Sequence, residues 1–372
     1  MHIKTAHIIN IILLTVIPIT LSCDEKEPVS TDDPSNLTVD IHQPEDNPSM
    51  VLIQASADNA VEYHLHIGSD NEPVAVNSSG TFEHVFIQPG YYMIEVRAYG
   101  ASGRYIRRSA QIMIDLSNDV SVEDGYFTPL VYEGYELVWQ DEFEGSNIDP
   151  ANWVFETGTG CPDLCGWGNN ELQYYRRENA WVEGGVLTIE ARRENHQGSS
   201  YTSARMKTEG KRSFRYGRID IRALLPVGQG IWPALWMLGN DITTVGWPKC
   251  GEIDIMEMIG GSGRENRVHG TVHWDIDGHV NAGGSFTKQS GTFADEFHVF
   301  TIIWDENTIK WFVNDVQFYV IDITPGHMTE FHQEFFFIFN VAVGGNWPGN
   351  PDATTVFPQQ MRVDYIRVFQ KK

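Results

Sequence analysis

Hydrophobic positions along this chain recur mostly with a period of two. Tyr63, Leu65 and Ile67 alternate with Glu62, His64 and His66, and Tyr92, Ile94, Val96 and Ala98 alternate with Met93, Glu95 and Arg97. Successive side chains of a strand point to opposite faces, so such runs predict half-buried strands. Further strands are predicted at residues 186–191, 216–224, 251–258, 268–274, 298–304, 308–313, 335–343 and 361–369. No segment keeps the helical period of about 3.6 residues through three turns. Gly100-Ala101-Ser102-Gly103 punctuates the runs as a turn. The expectation is an all-β protein: a small antiparallel β-sandwich over residues 49–128, then a large two-sheet β-jelly-roll over residues 133–372.

The first residues depart from this pattern. Lys4 precedes an apolar run over residues 8–21, which ends at the small residue Ser22. That order is a signal peptide over residues 1–22, and the run is shorter than the roughly 20 residues of an ordinary membrane span. Leu21-Ser22-Cys23 resembles the lipobox of bacterial lipoproteins, which implies lipidation of Cys23. The acidic Asp24-Glu25-Lys26-Glu27 behind it is similar to the export tag of surface lipoproteins. Together they imply an exported outer-membrane lipoprotein, anchored to the membrane through Cys23 and facing outward. Residues 23–48 are polar, acidic and contain proline, and read as a tether. Residues 90–103 (GYYMIEVRAYGASG) resemble the late hairpin of immunoglobulin-like modules, so the small sandwich is expected to be immunoglobulin-like, serving as a spacer or a sugar-binding module.

Composition narrows the partners. The 372 residues include 26 Lys and Arg against 50 Asp and Glu, a formal charge of -24. Such a surface repels phosphate backbones, so nucleic acid is an unsuitable partner. The 11 Trp and 34 Gly suit a turn-rich β protein that stacks rings on a neutral, ring-shaped ligand, for which sugars are the obvious class. In an oxidising compartment, Cys161 and Cys165 in one Gly-rich loop are the expected pair, and Cys250 a small buried residue. No Cys/His spacing suggests zinc.

The chemistry concentrates in residues 251–260 (GEIDIMEMIG). On a strand Glu252 and Asp254 share a face, whereas strict alternation puts Glu257 on the other. One extra residue in a β-bulge at Ile255–Met256 reverses that parity and brings all three carboxyl groups to one face. Their mutual repulsion then makes one of them hold a proton near neutral pH. With the bulge discounted, Glu252 and Glu257 are about four strand steps or roughly 13 Å apart at Cα. Side chains leaning inward leave roughly 5 Å between carboxyls, nearer the separation of retaining glycosidases than of inverting ones.

Beside residues 232–238 (WPALWML), this strand resembles glycoside hydrolase family 16 in its laminarinase-like branch. Matching segments run in order: residues 139–143 (WQDEF), 168–174 (GNNELQY), 201–208 (YTSARMKT), 216–219 (YGRI), 270–274 (GTVHW), 340–348 (NVAVGGNWP) and 363–368 (VDYIRV). The resemblance implies a retaining endo-β-1,3-glucanase acting on β-glucan polysaccharide, with Glu252 as nucleophile, Glu257 as general acid/base and Asp254 as assisting carboxylate. Mixed-linkage β-1,3-1,4-glucan is the alternative substrate, and a glucan-capturing lipoprotein without catalysis the alternative of another class. The resemblance further implies Trp232, Trp236, Asn169, Arg205 and His273 as substrate-binding residues, and Trp347, in a Gly-rich loop (GGNWPG), is expected to form a further stacking platform. The resemblance implies no catalytic cofactor and a structural Ca²⁺ at Glu142, Gly185 and Asp364; a monomer is the separate expectation.

Overall fold

The computed structural model describes residues 33–44, 49–68, 72–86, 90–114, 120–261 and 263–372. The leader, Cys23 and the first part of the expected tether lie outside the described residues.

Ser35–His42, read from sequence as part of the tether, is a strand paired antiparallel with Met50–Asp58. Leu37, Val39 and Ile41 alternate with Thr38, Asp40 and His42, and the three apolar side chains pack against a buried cluster. The tether reading fails there because overall polarity hid a period-two pattern. Thr81–Val85 completes this three-stranded sheet, and Ala75–Asn77, Ala60–Ile67, Gly90–Gly100 and Tyr105–Ile114 form a four-stranded one. Val51, Ile53 and Phe82 from the first meet Leu65, Ile94 and Val96 from the second in one core.

From Tyr135 onward an eight-stranded and a seven-stranded sheet enclose a second, larger core. The seven-stranded sheet runs His279–Thr287, Arg267–Asp275, Glu252–Glu257, Ile231–Gly239, Phe335–Val343, Arg205–Lys207, Val154–Glu156. Its inner face supplies Val272, Ile253, Leu235, Met237, Phe337, Phe339 and Met206 to the core, against Ile189, Ile219, Ile221, Ile302 and Ile366 of the other sheet. Its other face is left open, and every catalytic candidate stands there.

Residues 120–128, assigned from sequence to the small module, are fastened to the eight-stranded sheet instead. Arg222, fully buried, donates to the carbonyls of Val122, Asp124 and Tyr126 and to Asp364 Oδ2, at 2.6–2.8 Å. Its guanidinium also lies over Phe127 and Phe297. Arg362 takes the carbonyl of Val120 and Arg367 that of Thr128. A buried cation is stable only when its donors are satisfied, and this segment satisfies most of them. Cys161 and Cys165 are disulfide-bonded and Cys250 is a buried free thiol.

Candidate active site

The Glu252–Glu257 strand is irregular at one point. Against the Arg267–Asp275 strand, Asp254 faces Thr271 and Glu257 faces His269, so three steps on one side match two on the other. The same slip occurs against the Ile231–Gly239 strand, where Trp236 faces Asp254 and Ala234 faces Glu257. Ile253, Ile255 and Met256 all enter the core, and the extra inward residue returns Glu257 to the open face with Glu252 and Asp254. Trp311 of the other sheet donates its Nε1 to the Asp254 carbonyl at 2.8 Å, at the bulge. Gly270 makes room for that indole, since a Cβ there would meet Trp311 Cδ1 at 2.3 Å.

Each outer carboxyl group has an indole partner. Trp247 Nε1 donates to Glu252 Oε2 at 2.8 Å, and Trp232 Nε1 to Glu257 Oε1 at 3.0 Å. His273 Nε2 lies 3.1 Å from Asp254 Oδ2 and 3.8 Å from Glu252 Oε1. Burial pushes all three carboxyls upward. Glu252 is raised to about 8, first by desolvation and then by the charge of Asp254, with His273 and Trp247 pulling it back. Glu257 is held well above the usual carboxylate range by burial and by the repulsion of both neighbours. The site can therefore keep a proton on Glu257 while Glu252 and Asp254 share a negative charge, an acid beside a nucleophile.

Two aromatic corners flank these groups. Trp347, 41 % exposed, stands edge to face with Trp232 at 5.6 Å and with His269 at 5.0 Å, on the Glu257 side. Trp247, His273 and His279 gather on the Glu252 side. Trp236 shares the open face with Asp254 and donates Nε1 to Asn340 Oδ1 at 2.8 Å. Asn169 donates to Glu171 Oε1, and its carbonyl accepts from Asn346 beside the Trp347 loop.

Arg205 differs from the sequence expectation of a sugar-binding side chain. Its guanidinium is buried, layered between the rings of Trp167 and Trp236 at 4.6 and 4.9 Å, with Glu156 Oε2 at 2.5 Å. A cation flanked by two π faces and a carboxylate braces Trp236 more than it faces solvent. Sequence reasoning also missed Trp247, Trp167, Asn340 and Glu171. Asn340 was findable, since it shares strand parity with Ile338 and Ala342 opposite Trp236 and Trp232. Trp247 sits in a loop, where periodicity carries no signal.

Glu142, Gly185 and Asp364 converge. The strands Val186–Ala191 and Tyr135–Asp141 pair in succession with the Gln359–Lys371 strand, the first ending at Leu187–Val363 and the second at Asp141–Ile366. Glu142 and Gly185 thus adjoin the gap that holds Asp364. Both Glu142 carboxylate oxygens accept from Arg367, so the donors left there are backbone carbonyls and Asp364 Oδ1. An all-oxygen set of this kind fits a hard cation.

The sequence profile of Glycosyl hydrolases family 16 matches residues 165–367. The beta-glucanase of Rhodothermus marinus is 46 % identical, over 63 % of this chain and 85 % of that protein. The clotting factor G alpha subunit of Tachypleus tridentatus is 42 % identical over 63 % of this chain, which spans only 34 % of that protein's length. The laminarinase catalytic domain of Thermotoga maritima superposes with a TM-score of 0.60 at 48 % identity, covering 64 % of this chain and all of that domain. With the profile spanning more than half of the sequence and the bulged carboxylate strand inside it, the chain belongs to the glycosyl hydrolases of family 16.

Proposed function

We propose that this protein is a retaining endo-hydrolase of β-1,3 linkages in laminarin-like β-glucans. The observation that carries the reading is the bulge that sets Glu252, Asp254 and Glu257 on one open sheet face, with an indole N–H on each outer carboxyl. In the first step Glu257 protonates the glycosidic oxygen while Glu252 attacks the anomeric carbon, forming a glycosyl ester. Asp254, between them, shares the charge of Glu252 and is steadied by His273. Once the leaving sugar departs, Glu257 takes a proton from water, which cleaves the ester and restores the enzyme. Trp232, Trp236 and Trp347 offer rings to the sugar faces, and Asn169 and His273 offer polar contacts. The names of the Rhodothermus and Thermotoga relatives support the substrate class.

The same reading gives residues 1–22 as a removable leader, lipidated Cys23 as an outer-membrane anchor, the first two-sheet unit as an immunoglobulin-like spacer, and the protein as a monomer. Backbone carbonyls at Glu142 and Gly185 with Asp364 would hold a structural Ca²⁺ far from the chemistry.

Reducing ends released from laminarin, lichenan and agarose test the assignment. Laminarin should be cut fastest, with the β-anomer appearing first by NMR. Glu252→Ser should lower turnover by about 10³-fold or more while still binding laminari-oligosaccharides. Wild-type binding without release of ends would instead identify a capture protein.

A further inference from the structure

Two histidines stand in line behind the acidic pair. His273 Nε2 lies 3.1 Å from Asp254 Oδ2, a buried oxygen that accepts no hydrogen bond in this geometry, and its Nδ1 lies 2.8 Å from Nε2 of His279. The two imidazoles stack 5.0 Å apart at 13°, and the Trp247 ring packs on His279 at 4.5 Å while its Nε1 serves Glu252. His279 comes from the neighbouring strand, His279–Thr287.

We infer that His279 is a positioning residue that fixes the tautomer of His273, so that the Nε2–H of His273 is available to the Glu252–Asp254 pair; its part in catalysis rests on the function proposed above. An ionised carboxylate only accepts hydrogen bonds, so His273 Nε2 has to carry the proton if it is to serve Asp254. In a neutral imidazole that leaves Nδ1 as an acceptor, and His279 Nε2–H donates to it. Burial and His273 together lower the pKa of His279. The titratable groups around the pair are Glu252, Asp254 and Glu257 on the bulged strand, and Asp275, the cross-strand partner of His279. Asp275 Oδ1 accepts from Gly278 N, and the Asp275 backbone N–H faces Glu330 Oε1.

Without His279, His273 is free to place its proton on Nδ1 and turn a lone pair toward Asp254. The acidic pair then loses a donor and becomes harder to ionise.

His279→Phe keeps a ring against Trp247 and removes the hydrogen bond, whereas the amide of His279→Gln restores a donor to Nδ1. Two readouts are used on the full chain: the ¹⁵N shifts of His273 without substrate, and the pH profile of kcat/KM on laminarin. Wild type and His279→Gln should show the Nε2–H form of His273, and His279→Phe a mixture or the Nδ1–H form. The acid limb of His279→Phe should move up by about 0.5–1 pH unit, with KM within about twofold and the Gln variant at the wild-type position. Retention of the Nε2–H form and of the acid limb in His279→Phe would overturn the inference. So would a Gln variant impaired like the Phe variant, which would make the role one of packing. The nitrogen shifts need no substrate, so a wild type inactive on laminarin strikes the proposed function alone and leaves the tautomer to decide this inference.

Discussion

Among the described residues Glu257 accepts from one side chain, Trp232 Nε1, and it faces two other carboxyl groups along the open sheet face. Its native pKa lies above the value of about 4.5 that it has when exposed, so the folded state binds its proton more tightly than the unfolded state does. Stability tied to this group is complete below pH 4.5 and is lost as pH rises toward the native pKa. Glu257→Gln removes that loss. Its melting temperature should therefore match wild type near pH 4 and exceed it at pH 8 by several degrees, as followed by calorimetry, at about 2–4 °C per kcal/mol for a unit of this size. Turnover in the same variant should fall by about 10²-fold or more, since the leaving oxygen loses its acid. With Glu252 raised to about 8, the acid limb of the activity profile should stand near neutrality, well above that of an exposed carboxylate. The three carboxyls were legible in sequence because their spacing conflicts with simple alternation, and that conflict demands a bulge. The partners Trp247 and Asn340 were less legible, because a hydrogen bond across strands or from a loop leaves no mark on either segment alone.

At the scale of the strand, the bulge is absorbed in the same way by both neighbours, three steps against two. Deleting Met256 would therefore straighten the strand without shifting either register, and the glutamate would still face His269 and Ala234. That variant should fold and retain measurable turnover. It would still lose about 2–5 kcal/mol in urea unfolding, because Met256 is fully buried. Deleting Ile255 and Met256 together would place the glutamate next to Asp254 and turn it into the core, so turnover on laminarin should vanish. The parity argument made this strand readable from the residues alone. It did not reach Ser35–His42, where charged and polar residues nearby masked three alternating apolar positions, nor Arg205, whose enclosure comes from Trp167 in a distant loop.

For the whole molecule, the proposed Ca²⁺ and the leading unit both bear on how the large sandwich holds together. Asp364 is raised above its ordinary range by burial, and Glu142 adds negative charge nearby. A bound cation would relieve both, so EGTA should lower the melting temperature by several degrees and added Ca²⁺ restore it, with laminarin turnover unchanged well below melting. The division of the chain was legible as a change of pattern near residue 130, but the seam lies earlier, past the strand that ends at Ile114. Little in residues 120–128 advertises its attachment, because most of the groups it lends to the buried arginines are main-chain carbonyls, which every sequence possesses. Anyone excising the hydrolase for separate use should heed this. A polypeptide beginning at residue 133 would strip Arg222 of three of its four acceptors and leave it only Asp364, lowering its midpoint by about 10 °C. One beginning at residue 120 would keep its bolt in place.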